Sequence, residues 1–452
     1  MYNENMEKIR IIGAGLAGSE AAIYLAKKGY DIELWEMRPK YETGAHATAN
    51  PAELVCSNSL GSSDILSASG LLKKEAELLG STLFKTAKEC AVPSGNSLSV
   101  DRVGFSNKIK EIINSYKNIK VVNEKYEKID PNVPTIIATG PLSAKELAQN
   151  FKEEFGQEDF HFYDAIAPIV EKSSINFDKA FYASRWDKGE ADFINCPFAK
   201  EEYENFYNIL INSERAPLKE FEANYFEGCM PIEVMAARGV DTLRFGPMKP
   251  VGLFDKRIET EFKKNQFYAV VQLRQDDKMA NLYNLVGFQT NLKWGEQKKL
   301  VQSIPGLENA NIVRYGVMHA NTFINSPKIL NKCLQTKKYE NIFFAGQITG
   351  VEGYCESIST GLLAAINLDK FLKKEEMITL TNNTMLGALV EYITFEEHKK
   401  FQPINSNWGI TAEVIGDKKK LKDKKYKNEI RSKRALEEIC KITGEVNNEI
   451  FN

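Results

Sequence analysis

The stretch KIRIIGAGLAGSEAAIYLAKKGYDIELWEMR, from Lys8 to Arg38, leaves the chain few folds to choose from. Lys8–Ile12 reads as a short apolar strand, and Gly13-Ala14-Gly15-Leu16-Ala17-Gly18 then satisfies G-x-G-x-x-G. Ser19–Lys28 has helical composition and period, Gly29 caps it, and Asp31–Trp35 reads as a second strand. Each glycine has its own task. Gly13 permits the tight turn, Gly15 lets a pyrophosphate approach the backbone, and Gly18 allows close helix–strand packing. The helix start offers N–H donors to the anion. Glu36 closes the second strand 23 residues after Gly13, where an acidic side chain accepts ribose hydroxyls. Such a unit predicts a Rossmann-type domain that binds a dinucleotide.

Two later segments point to FAD rather than NAD(P) as the resident cofactor. TIIATGPL (Thr135–Leu142) reads as a strand ending in a turn at Gly140 that returns beside the dinucleotide. NIFFAGQITGVEGYCESISTGLLAAINLDKFL (Asn341–Leu372) reads as a buried strand, a turn bearing Gly346, Gln347 and Gly353, and a helix aimed at a flavin. The other reading of this segment is an ordinary strand–helix unit completing the sheet. No second G-x-G-x-x-G occurs, so a nicotinamide reductant binds without a Rossmann half of its own. Between these segments the strand pattern turns antiparallel, in DKAFYASRW, TLRFGPMKPVGLF, FYAVVQLRQ and LYNLVGFQT. The expected architecture is therefore α/β. It has a glutathione-reductase-like, Rossmann-type FAD-binding domain (1–165 and 330–415), an inserted smaller α+β domain (166–329) and a basic C-terminal tail (416–452).

Composition narrows the class. At 452 residues the chain exceeds one simple core, and 43% hydrophobic with 27% charged residues is the balance of a soluble globular protein. No run of about 20 apolar residues suggests a membrane span, and the N-terminus has no signal-peptide pattern. The seven cysteines are scattered without a CxxC, which argues against a zinc site or a thioredoxin-like pair and fits a reducing cytoplasm. No metal-ligand spacing and no G-x-S-x-G elbow appear. Net charge is only −2, yet Lys418–Arg434 carries ten basic residues against Asp423 and Glu429. That stripe could neutralise phosphates, or it could be a solvated, partly helical tail.

Cys229 is the thiol with the most suggestive setting. It stands in YFEGCMPIEVMAARG, after Gly228 and just before Pro231, in a loop feeding a helix. Donors at a helix start favour thiolate, although packing or turn chemistry would also place a cysteine there. Cys56, in NPAELVCSNSLGSS, lies where flavoproteins fold a segment over the isoalloxazine; packing is its other reading. Arg244 and Lys249 lie in the basic, proline-bearing loop LRFGPMKPVGL. Arg274 shares a strand face with Gln272, lining a polar cleft or facing solvent. His319 and Asn321, in RYGVMHANTFINSP, offer hydrogen-bonding groups suited to a heterocycle edge, or a satisfied structural histidine.

Taken in order, the fingerprint, AELVCSNSL, AVPSGNSLSVDR, IIATGPL, FYDAIAPIVE, FEGCMPIEVMA, FGPMKPVGL, AVVQLRQDD, NLVGFQTNLKWGEQK, RYGVMHANTFINSP, FFAGQITGVEGY and FQPINSNWG resemble the TrmFO family. The likeness runs from about Ile9 to Gly409. These are folate- and FAD-dependent RNA uracil-5-methyltransferases of bacteria. The resemblance implies 5,10-methylenetetrahydrofolate as carbon donor, NADPH or NADH as reductant, and a uridine of RNA as target, in the T-loop of tRNA or, for a paralogue, in large-subunit rRNA. It also implies that Cys229 attacks uracil C6, making C5 nucleophilic. Reduced flavin then supplies the hydride that completes the methyl group. For Cys56 it implies a functional thiol near the flavin, in proton transfer at C5 or in a protective contact. Two positions depart from the pattern: Gly61 and Ala320 stand where the family commonly has arginine. The alternatives of another class are a flavin oxidoreductase acting on a thiol or small molecule, and a non-catalytic flavin-carrying RNA-binding protein.

Overall fold

The computed structural model describes residues 8–43, 45–156, 160–165, 167–187, 190–216, 230–258, 266–316, 318–398, 401–416 and 419–444, the side chains of 160–165 and 318–321 excepted. Its framework is a five-stranded sheet in the order Ile342–Phe344, Thr135–Ile137, Lys8–Ile12, Asp31–Trp35, Ile119–Val122, with every neighbouring pair parallel. The two fingerprint strands begin and end where the sequence places them. The fingerprint helix, Leu16–Lys27, starts three residues earlier than composition alone indicates.

The late helix Tyr354–Leu372 packs directly on the fingerprint helix, and the glycines explain how closely. A Cβ on Gly361 would lie 2.4 Å from the Ala17 carbonyl oxygen, so only glycine permits the approach. Both helices are almost wholly buried, which accounts for their near-continuous Ala, Ile and Leu content. The core beneath them draws on residues from Ile9 to Phe151 and from Phe323 to Ile439.

A second hydrophobic core, from Ala167 to Ala310, lies under a six-stranded sheet. Its order is Phe181–Ala183, Phe193–Phe198, Ala269–Gln275, Leu282–Leu285, Ile169–Glu171, Ile312–Arg314, antiparallel throughout. One expected strand is absent. TLRFGPMKPVGLF forms a single helical turn, Thr242–Phe245, followed by turns. Pro247 and Pro250 lack the N–H groups a ladder needs, and Gly252 holds φ +81°.

The basic C-terminal stretch forms a helix, Lys424–Thr443, capped by the Asp423 side chain on the Lys425 N–H at 2.8 Å. Ala435, Leu436 and Ile439 join the first core, and Arg431 sits 5.3 Å over the Trp408 ring. Lys422, Lys424, Lys425 and Lys433 remain exposed. Among the described residues, no helix is long and apolar enough to cross a membrane.

Candidate active site

A cleft of about 1000 Å³ of atom-free space lies at the C-terminal ends of the parallel strands. Gly13 turns the chain at φ +99°, and a Cβ there would meet the Ala138 carbonyl oxygen at 2.6 Å. A Cβ on Gly18 would lie 1.8 Å from the Gly13 oxygen. Gly15 differs from both: nothing lies within 4 Å of its Cβ position, so the space before it is open to a ligand. Gly15 is also the N-cap of the fingerprint helix and supplies no side-chain cap, which leaves the first-turn N–H groups to an anion. An open glycine before an uncapped helix start is the cradle a pyrophosphate needs, so the residues present fit FAD.

Gly13, Gly15, Leu16, Ala17, Glu36, Gly140, Gly346 and Gln347 all line this cleft. Ala14 stands behind it, its N–H donating to Glu36 at 3.2 Å. Gly18 is buried beneath the turn, and Gly353 is the N-cap of the late helix, at φ +119°. The next residue, Tyr354, enters the cleft.

Glu36 is more heavily engaged than its position in the fingerprint indicates. One carboxylate oxygen accepts the Arg38 backbone N–H at 3.0 Å and Nε at 2.9 Å; the other accepts Ala14 N–H and an Arg38 terminal nitrogen at 3.1 Å. Burial works against its charge, but Arg38 and the backbone donors hold the group below the usual carboxylate range. A carboxylate has about four acceptor positions. A ribose diol reaching Glu36 therefore shares it with Arg38 or displaces part of that hold. Arg38 is itself fixed by Glu53 at 3.3 Å and the Thr48 carbonyl at 2.9 Å.

Cys56 follows Val55, which lines the same cleft, and is half-buried and not in a disulfide. Its backbone N–H donates to the Tyr354 hydroxyl at 2.8 Å, and the Ser57 N–H does so at 3.2 Å. Burial, then the nearby Cys56, pushes the Tyr354 phenol upward, so it stays protonated. Arg102 braces the loop from behind by donating to the Leu54 and Val55 carbonyls. It also forms a two-pronged ion pair with Asp276, at 2.9 and 3.3 Å. Burial opposes the Arg102 charge, and Asp276 more than restores it.

The same loop is stitched to the antiparallel sheet. Asn58, fully buried, donates to the Val100 and Gln275 carbonyls and accepts from Arg274 Nε at 3.1 Å and Asn284 Nδ2 at 3.2 Å. Arg274 thus lies part-buried in a polar seam and does not line this cleft. Burial lowers its pKa to about 10 despite Asp276 nearby. Gln272, on the same strand face, is tied to Asn195 at 2.9 Å and Arg185 at 3.1 Å.

Arg244 and Lys249 lie apart from these groups, in a second cleft on the antiparallel sheet. Cys229 falls outside the described residues; the chain resumes at Met230, buried, ahead of the helix Ile232–Ala236 with Pro231 as its N-cap. The side chains of His319 and Asn321 also fall outside them, although their strand, Met318–Phe323, pairs with Phe160–Ala165. Gly61 holds φ +75°, a conformation that suits glycine rather than arginine. Among the described residues no cluster of His, Cys, Asp and Glu could hold a metal.

Four residues of this site escape a reading of the sequence. Arg38 and Tyr354 each had a signal, standing two residues after Glu36 and directly after Gly353. Arg102 and Asp276 had none, since their pairing spans 174 residues.

Comparisons with known proteins agree with this geometry. Residues 8–376 match the family described as glucose inhibited division protein A. The methylenetetrahydrofolate–tRNA-(uracil-5-)-methyltransferases TrmFO of Bacillus cytotoxicus and Bacillus cereus strain Q1 are each 53% identical over 95% of this chain and 98% of their own. That of Bacillus velezensis is 51% identical over 97% and 99%. Among solved structures, Aquifex aeolicus GidA aligns with a TM-score of 0.68 at 16% identity, covering 98% of this chain and 75% of that one, a likeness of fold.

Proposed function

The chain belongs to the TrmFO family, and from that premise we propose that it methylates C5 of a uridine in tRNA. The carbon comes from 5,10-methylenetetrahydrofolate, FAD is the resident cofactor, NADPH or NADH is the reductant, and the setting is the cytoplasm. Identity of 53% across 95% of the chain, with relatives named for that reaction on tRNA, is the observation that carries the reading. The same reading divides the chain into an FAD domain (1–165 and 330–415), an insertion domain (166–329) and a basic C-terminal segment (416–452). The two separate cores support that division in outline, although Phe323, Ile324 and Ile329 pack in the first, as does the apolar face of the C-terminal helix.

Bound FAD supplies the reducing equivalents. The chain's own residues do the rest. Gly13, Gly15 and Gly18 shape the pyrophosphate seat, Glu36 with Arg38 receives the ribose, and Gly140, Gly346 and Gln347 form the far wall. Tyr354 holds the Cys56 backbone beside the cleft, which supports a role for the thiol there. Cys229 is the nucleophile for C6, with Gly228 leaving room for the base, and His319 and Asn321 contact substrate.

The test is direct. Purified protein given an unmodified tRNA transcript, the folate donor and NADPH forms 5-methyluridine, detected by nucleoside mass spectrometry. Cys229→Ala abolishes transfer while the protein stays yellow. A colourless variant would assign Cys229 to structure instead. Product on an rRNA fragment but not on tRNA moves the target, and product on neither overturns the reading.

A further inference from the structure

The second cleft is an open groove at one end of the central strand Ala269–Gln275. Phe267 and Tyr268 lead into the strand there, whereas Arg274 and Gln275 meet Asn58 of the Cys56 loop at the other end. Seven extended residues at ~3.3 Å each put roughly 20 Å between the two ends.

Its chemistry is specific. Among the described residues four cations, Lys179, Lys200, Arg244 and Lys249, line the cleft against a single carboxylate, Glu202. Glu202 is turned aside, accepting the Ala199 N–H at 2.7 Å. Lys179 is matched by Glu308 at 2.6 Å and Arg244 by Asp241 at 2.6 Å. Lys200 reaches Glu204 only at 3.8 Å, and Lys249 has no ion pair among the described residues. Lys249 is therefore open to an anion, and Lys200 has only that long, exposed contact to give up. One ring in the same cleft is open: Phe245 is 78% exposed, whereas the Arg244 guanidinium covers the Tyr268 ring at 3.5 Å. The loop is held in advance, because Arg185 donates to the Lys249 and Val251 carbonyls at 2.8 and 2.7 Å.

Exposed cations beside an exposed ring are the recognition chemistry of a nucleic-acid strand, phosphates on the charges and a base on the ring. A nicotinamide dinucleotide carries the same groups, but it must lay its nicotinamide on the flavin, and this cleft lies a strand length away from even the Cys56 loop. A tRNA spans that distance. We propose that the second cleft holds a phosphate-and-base stretch of the substrate RNA away from the uridine being methylated. The proposal rests on the RNA-modifying function above and adds a place where the RNA is gripped.

The experiment measures binding of a fluorescein-labelled, unmodified tRNA transcript to the FAD-loaded full chain across a series of KCl concentrations. The exposed pair Lys200→Ala/Lys249→Ala weakens binding roughly tenfold or more at low salt, and the slope of log affinity against log salt shrinks by about two. The Lys200→Arg/Lys249→Arg pair restores both. Phe245→Ala weakens binding about fivefold or more with the slope unchanged, as loss of stacking does. Unaltered affinity and slope in the alanine pair would overturn the proposal. So would a rise in the NADPH concentration that half-saturates flavin reduction, which assigns the cleft to the dinucleotide. If the wild-type protein binds tRNA yet forms no 5-methyluridine, the methylation reading falls, and the slope comparison still decides the cleft.

Discussion

The two halves of the Cys56 neighbourhood are built from different materials. On the parallel-sheet side the cleft is made of backbone: glycines that permit contact, an uncapped helix start, and carbonyls within touching distance of absent Cβ atoms. On the antiparallel side the seam is made of side chains, Asn58, Arg102, Arg274, Asp276 and Asn284, drawn from distant parts of the chain. A backbone-made site has little freedom to vary, since no other residue replaces glycine at a 2 Å approach. A side-chain seam can be neutralised as a unit, because exchanging all partners for apolar groups leaves no orphaned charge.

The largest expected effect tests the first half of that contrast. Gly18→Val pushes a branched side chain onto the Gly13 oxygen and breaks the fingerprint turn. Flavin retained through purification, read from visible absorbance, falls to about a tenth of wild type or less. Gly15→Ala meets no protein atom but puts its Cβ in the space left for the pyrophosphate, so it also loses flavin while unfolding at the wild-type temperature, whereas Gly18→Val unfolds lower. Equal unfolding temperatures in the two variants would show that sterics at the turn do not hold the fold there.

The next effect belongs to the seam. Arg102→Met takes the ion-pair partner from the buried Asp276, at a cost of about 3–5 kcal/mol. Thermal unfolding then begins several degrees lower, while flavin absorbance at 25 °C is largely kept. Arg102→Met/Asp276→Leu recovers most of the loss. A double variant as unstable as the single one would mean the pair does more than satisfy itself, and the contrast between the two halves would fail.

That same contrast explains what could be read from sequence. Lys8–Ile12, Asp31–Trp35 and the late strand and helix were legible because their signals are local: apolar runs, glycines at fixed offsets, a terminal acid. TLRFGPMKPVGLF was misread because apolar content outweighed two prolines that forbid a ladder. Arg274 was assigned to a cleft or to solvent because alternation shows which residues share a face, not what covers it. What covers it is Asn58, 216 residues away, and no spacing rule reaches that far. Glu36 lay between the two cases. Its place was legible and Arg38 stands only two residues on, but that the guanidinium turns back onto the carboxylate is a fact of the folded chain.

The smallest expected effect sharpens the contrast most, because it asks whether the seam acts as one unit. Asn58 Oδ1 receives both Arg274 Nε and Asn284 Nδ2, so removing Asn58 strands two donors that the sheet cannot expose to water. Asn58→Ala and Arg274→Met should each destabilise the protein, and the double variant should lose less than their sum. The interaction free energy expected between them is about 0.5–3 kcal/mol. The measurement is a double-mutant cycle on thermal unfolding, run beside the reactivity of Cys56 toward a thiol reagent. Coupling with faster Cys56 labelling in both single variants would show the seam fixing the loop that carries the thiol. Strict additivity would mean that Asn58 and Arg274 only fill space, and that Tyr354 and Arg102 alone set where Cys56 stands.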